Sequence, residues 1–179
     1  MNFSLQDTIA VLERTPAALE AMLRGLPDAW TRTNEGDGTF SPYDVIGHLN
    51  HGERTDWIPR ARIILEHGET RPFDRYDRFA QDRDSPGKSL DQLLDEFTIL
   101  RRDNLRTLRG WNLDPAAFER RGMHPILGPV TLGNLIATWA AHDLTHVHQV
   151  SRCMAHQYRD AVGPWTKFLG VMHCQGHSE

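Results

Sequence analysis

One helical turn separates His142 from His146 in the run Trp139-Ala-Ala-His-Asp-Leu-Thr-His-Val-His148. Both fall on an apolar stripe that begins at Leu132 and passes through Leu135 and Trp139 to Cys153. Residues i and i+4 of a helix share one face, with Cβ atoms roughly 5–6 Å apart. Leucines are expected at such positions, and two desolvated imidazoles are costly there unless one partner satisfies both. A divalent cation does so at metal–nitrogen distances of about 2.0–2.1 Å. The pair therefore calls for a fold that buries this helix face against other helices.

Three more segments carry helical periodicity. The first follows Ser4, an N-cap, and places Leu5, Ile9, Leu12, Leu19, Leu23 and Leu26 on one stripe, with a kink predicted at Pro16. The polar stretch 31–38 interrupts it. The second starts at Ser41 with Pro42 in the first helical position. Val45, His48, Leu49, Gly52 and Ile63 lie near its inner face, Pro59 predicts a kink or break, and the pattern fades at His67-Gly68. Residues 69–88 are charged and hold Pro72, Pro86 and Gly87, which predicts a long loop across one end of the bundle.

Ser89-Leu-Asp-Gln92 fits a capping box for the third helix, which carries Leu90, Leu93, Phe97, Leu100, Leu108 and Trp111. Residues 112–130 contain several helix breakers, with a small extended hairpin predicted at Ile126–Val130, and Thr131 caps the fourth helix. Trp165, Phe168 and Leu169 are expected to fold back over the bundle. The expectation is an all-α antiparallel four-helix bundle with long connecting loops, in one domain spanning 1–179.

Composition narrows the function. A formal net charge of −4 argues against nucleic-acid or anionic-membrane partners. No apolar run approaches the roughly 20 residues of a membrane-spanning helix. Met1–Asp7 lacks the basic and apolar regions of a signal peptide, and two cysteines are too few for a disulfide framework. A cytoplasmic location with reduced thiols is expected.

A third ligand is sought on the second helix. His48 is favoured because Val45 and Leu49 make its face the buried one; His51 competes and is expected at the rim. Three imidazoles with no fourth protein ligand leave an open coordination position, as in catalytic rather than structural sites. A cation there lowers the pKa of water or a thiol. His142-Asp-Leu-Thr-His146 also resembles the HExxH pattern with aspartate in the glutamate position. Asp143 is read as a carboxylate that orients an imidazole or as a solvated residue, with a general-base role as a further option. His148 falls on another face, and the tail His173-Cys-Gln-Gly-His177 is read as a disordered, adventitious metal binder. Arg101, Arg102, Arg106 and Arg109, interleaved with acidic residues, are expected to form a solvated ion-paired face.

Ser41-Pro-Tyr-Asp-Val-Ile-Gly-His-Leu49 with Glu53 and Trp57, Trp139-Ala-Ala-His-Asp-Leu-Thr-His146, and Tyr158-Arg-Asp-Ala-Val-Gly-Pro-Trp165 together give the chain a wider likeness. It resembles the DinB-like superfamily of metal-binding four-helix-bundle proteins. That resemblance implies an up-down-down-up bundle, often homodimeric, with one divalent ion held by His48, His142 and His146. Zinc and nickel are the usual metals. The implied activities are transferases and isomerases that use a low-molecular-weight thiol on a small-molecule substrate. Three functions follow as expectations: a thiol S-transferase, a metal-dependent hydrolase with Asp143 or Glu53 as base, and a non-catalytic metal-stabilised stress-response scaffold.

Overall fold

Hydroxyl caps and prolines decide where the helices of this chain begin, and a computed structural model describes the result over residues 3–174. Ser4 opens α1 (Leu5–Leu12), its side chain accepting from the Asp7 amide at 3.2 Å. The first apolar segment is two helices, not one kinked helix, because α2 (Thr15–Leu23) starts afresh with Pro16 in its first turn. Proline has no N–H to give the carbonyl four residues back, which is that of Leu12. That carbonyl instead accepts from Arg101 Nη1 at 2.9 Å. Leu26 falls beyond the end of α2 and is exposed, before the single turn α3 (Asp28–Thr31).

Ser41 and Asp44 form a reciprocal capping box at the start of α4 (Pro42–Thr55). Pro59 breaks the second segment as expected, but three residues upstream of itself, at Asp56. It cannot donate to Thr55, so the chain bends there and α5 (Trp57–His67) begins. Residues 69–88 are not wholly irregular, since they include the short helix α6 (Gln81–Asp84). This segment lies directly on α4 at Gly47, where a Cβ would come within 2.4 Å of Ser85 Oγ.

Capping boxes at Ser89 and Thr131 then start α7 (Leu90–Gly110) and α8 (Leu132–His156). Between these two helices runs a hairpin of β1 (Arg121–His124) and β2 (Gly128–Thr131). It is wider than expected: Ile126 and Leu127 form its exposed tip rather than a strand. His124 Nδ1 accepts from the amides of Ile126 and Leu127 at 3.2 and 3.1 Å and so holds the tip. The Phe73 amide donates to the Met123 carbonyl at 2.9 Å, which ties the 69–79 segment to this hairpin.

The fold is the expected antiparallel four-helix bundle, with α1/α2, α4/α5, α7 and α8 as its rods; α4 packs on α7, and α8 on α1, α4 and α5. Its apolar core falls into two clusters. Leu12, Trp57, Ile64, Leu105, Leu108, Leu132 and Trp139 belong to one. Leu19, Leu23, Val45, Leu49, Phe97 and Val150 belong to the other. Trp165 and Phe168 do not cover the bundle; they are 69% and 79% exposed. The tail read as a metal binder lies, from residue 175 onward, outside the described residues. Among the described residues no helix is long and apolar enough to cross a membrane.

Candidate metal centre

His48 from α4 meets His142 and His146 from α8, and the candidate ligand atoms of the three lie within 4.8 Å of one another. His48 is 6% exposed and His146 1%. His142 Nε2 and His146 Nε2 face each other at 3.0 Å. Two imidazole nitrogens that face each other in this way would both be offered to one divalent ion. The Gln149 amide oxygen, 2.8 Å from His146 Nδ1, accepts an N–H and leaves the Nε2 lone pair facing the cluster. Tyr76 donates to the His48 carbonyl at 3.3 Å, and its oxygen lies 3.4 Å from His48 Nδ1. His142 Nδ1 is buried with no hydrogen-bond partner.

Burial, reinforced by His146, lowers the pKa of His48 to about 3. Burial likewise depresses His142, and burial depresses His146. All three are neutral at pH 7, the state in which imidazole ligates a metal. A cluster of three largely buried, neutral imidazoles is a donor set for a divalent cation, and these residues fit one. His51 takes no part: it stands half-buried, with Nδ1 3.6 Å from Asp84 Oδ2 and its ring against Tyr76. His148 is exposed.

Glu53 and Asp143 lie elsewhere than the expectation of a catalytic base requires. Both are at most 2% exposed, and neither lines the cavity above the histidines. They grip Arg101, which corrects the reading of that residue as part of a solvated face: Arg101 is 1% exposed. Its Nε and Nη2 donate to Glu53 Oε1 at 3.1 and 2.7 Å. Nη2 also donates to Asp143 Oδ1 at 2.9 Å, while Nη1 donates to Asp143 Oδ2 and to the Leu12 carbonyl. All five guanidinium protons are thereby used. Trp139 Nε1 and Asn104 Nδ2 donate to the two oxygens of Glu53, both at 2.9 Å. Burial opposes the charge on Arg101, but the two carboxylates outweigh it and raise its pKa above the ordinary value. Arg102, Arg106 and Arg109 do remain on the exposed face.

A cavity of about 700 Å³ opens above the histidines. Trp57, Phe73, Val130 and Leu135 form its apolar wall, the hairpin tip overhangs it, and Tyr76 and Gln149 reach it beside the ligands. Sequence reasoning missed both of the latter. Gln149 carries a local signal, three residues after His146 and hence on the same helix face. Tyr76 carries none, because it sits in irregular chain.

A four-helix bundle with three histidines converging from two of its helices is a scaffold that could hold a metal ion. The sequence model of the DinB superfamily matches residues 11–150, and the chain belongs to that superfamily. Among solved structures it is similar to YfiT from Bacillus subtilis, with a TM-score of 0.72 and 24% identity, covering 88% of this chain and 87% of that one. YfiT is described as "a probable metal-dependent hydrolase with an unusual four-helix bundle topology". It is also similar to TT2238, described as a four-helix bundle protein, with a TM-score of 0.55 and 20% identity over 83% of this chain and 98% of that one. No curated protein matches the chain.

Proposed function

We propose that this chain is a divalent-metal-dependent enzyme in which His48, His142 and His146 hold zinc or nickel, and that it transfers a low-molecular-weight thiol to a small electrophile. The observation that carries this reading is the three-histidine cluster at the floor of an apolar cavity, with Glu53 and Asp143 both engaged by Arg101. A divalent cation so held supplies Lewis acidity, which lowers the pKa of a thiol or water in its open position. A thiol ionises near pH 8.5 unaided and needs no further base once that pKa falls. Water activation commonly engages a carboxylate as well, and among the described residues the cavity wall offers only Asp56, which is ion-paired with Arg60. Trp57, Phe73 and Leu135 exclude water around the thiol's sulfur, and the hairpin tip covers the electrophile.

Hydrolysis is the second reading. Burial pushes the Asp56 carboxyl up to about 6 against the opposing pull of Arg60, a value suited to a base near neutrality. The description of YfiT as a probable metal-dependent hydrolase supports the same reading. The homodimer implied by the family belongs to the proposal and is read by light scattering.

The test is consumption of 1-chloro-2,4-dinitrobenzene with and without added thiols, beside hydrolysis of p-nitrophenyl acetate without them, in zinc-loaded and chelated protein. Thiol-dependent turnover that disappears in His146→Ala supports the transferase. Turnover of the ester alone, lost on chelation, supports the hydrolase. No turnover on either, with metal-dependent melting intact, leaves the site as a structural one.

A further inference from the structure

We infer that the cavity selects organic acids: substrates with an apolar body and a carboxylate, the carboxylate held at the mouth by Arg75 and Arg78. This substrate class rests on the cavity being the reaction site. The charge of its wall runs against that of the molecule. The chain carries a formal net charge of −4, yet among the described residues Arg60, Arg75 and Arg78 line the cavity against a single carboxylate, that of Asp56. Asp56 is already paired with Arg60, both side chains being about one-tenth exposed. Among the described residues, neither Arg75 nor Arg78 has an ion pair with an acidic side chain. Two guanidinium charges are therefore available at one cavity.

Their setting suits a ligand rather than a solvated surface. Arg78 is half-buried, its guanidinium 5.8 Å from the ring centroids of both Phe40 and Phe79. Cation–π attraction at this distance, near its outer limit of about 6 Å, biases the guanidinium toward the two rings and leaves its N–H groups free for bidentate contact with a carboxylate. Arg75 is exposed, and lies two residues from Phe73, which is tied by its amide to Met123 of the hairpin. The opposite wall supplies the other half of the recognition. Trp57, Phe73, Val130 and Leu135 present apolar surface, with Asn134 and Thr138 as polar points on α8. A volume of about 700 Å³ is ample for a substrate of this kind.

The test is calorimetric titration with 4-phenylbutyrate and, as its uncharged counterpart, 4-phenylbutan-1-ol. Both are run on zinc-loaded and on chelator-treated protein, with wild type, Arg75→Gln/Arg78→Gln and Arg75→Lys/Arg78→Lys. The acid is expected to bind about 10- to 100-fold tighter than the alcohol, as charge-assisted hydrogen bonds do. That preference should vanish in the glutamine variant, return in part in the lysine variant and weaken with salt. Zinc content should be unchanged in both variants, which separates this result from the fate of the metal reading. If the chelated wild type keeps the preference, the arginine subsite stands even where the metal reading fails. Equal affinity for acid and alcohol overturns the inference. So does a preference that survives Arg75→Gln/Arg78→Gln, or one present only in zinc-loaded protein, since the metal would then hold the carboxylate.

Discussion

Gln149 Oε1 accepts from His146 Nδ1 at 2.8 Å, and this one contact fixes which ring nitrogen His146 turns toward His142. An amide oxygen cannot donate, so Nδ1 carries the proton and Nε2 the lone pair. Contacts of this kind orient metal ligands and raise their basicity. Gln149→Leu is therefore expected to weaken Zn²⁺ binding by about 10- to 100-fold. Gln149→Glu, which keeps the acceptor, should retain affinity. Competition against a chromophoric chelator measures both; an unchanged constant in Gln149→Leu would remove Gln149 from the site.

Metal should also stabilise the fold. A ligand that binds only the native state at about 100 times its Kd adds about 2.7 kcal/mol. For a domain of this size that raises Tm by roughly 5–10 °C. Calorimetry with and without Zn²⁺ should show that rise in the wild type and lose it in His142→Ala and His146→Ala.

Arg101 joins α7 to α4, α8 and the end of α1 through contacts that are buried throughout. Arg101→Met leaves two carboxylates dry and unpaired, and should cost about 3–5 kcal/mol. Its pH dependence has a definite sign. Burial already raises the Glu53 pKa, with Arg101 opposing, so removing Arg101 raises it further. A carboxyl whose folded pKa exceeds its unfolded value takes up a proton on folding, so stability grows as pH falls through that folded value. Urea melts of Arg101→Met at pH 5 and pH 8 should show the variant recovering stability at the lower pH. Equal loss at both would mean that the carboxylates are not what destabilises it.

The hairpin tip serves the cavity and not the core. Ile126 and Leu127 are 82% and 73% exposed, yet both line the mouth. Ile126→Ser/Leu127→Ser is expected to change stability by no more than about 0.5 kcal/mol, as for surface positions generally. It should raise KM in whichever assay reports activity. A fall in Tm with unchanged KM would assign the tip to folding.

Much of the fold was legible because its rules are local. Ser4, Ser41, Ser89 and Thr131 marked the four main helix starts, since a capping hydroxyl acts on amides only two or three residues away. The i,i+4 spacing of His142 and His146 placed two imidazoles together by helix geometry alone. Val45 and Leu49 indicated which face of α4 His48 would share, so the three-histidine cluster was readable before the fold was known. What an arginine pairs with across a bundle is not local. Arg101 stands four residues after Phe97 and four before Leu105, on the buried stripe of α7, so its burial had a local signal that its exposed companions Arg102 and Arg106 lack. That it meets Glu53 and Asp143 there is decided only by the packing of α4, α7 and α8. Tyr76, Arg75 and Arg78 belong to irregular chain, where no periodicity says which way a side chain faces. The helix starts and the candidate three-histidine cluster were therefore determined by the sequence itself. The partners of the buried charges and the wall of the cavity were decided by tertiary structure, because they depend on which distant segments pack together.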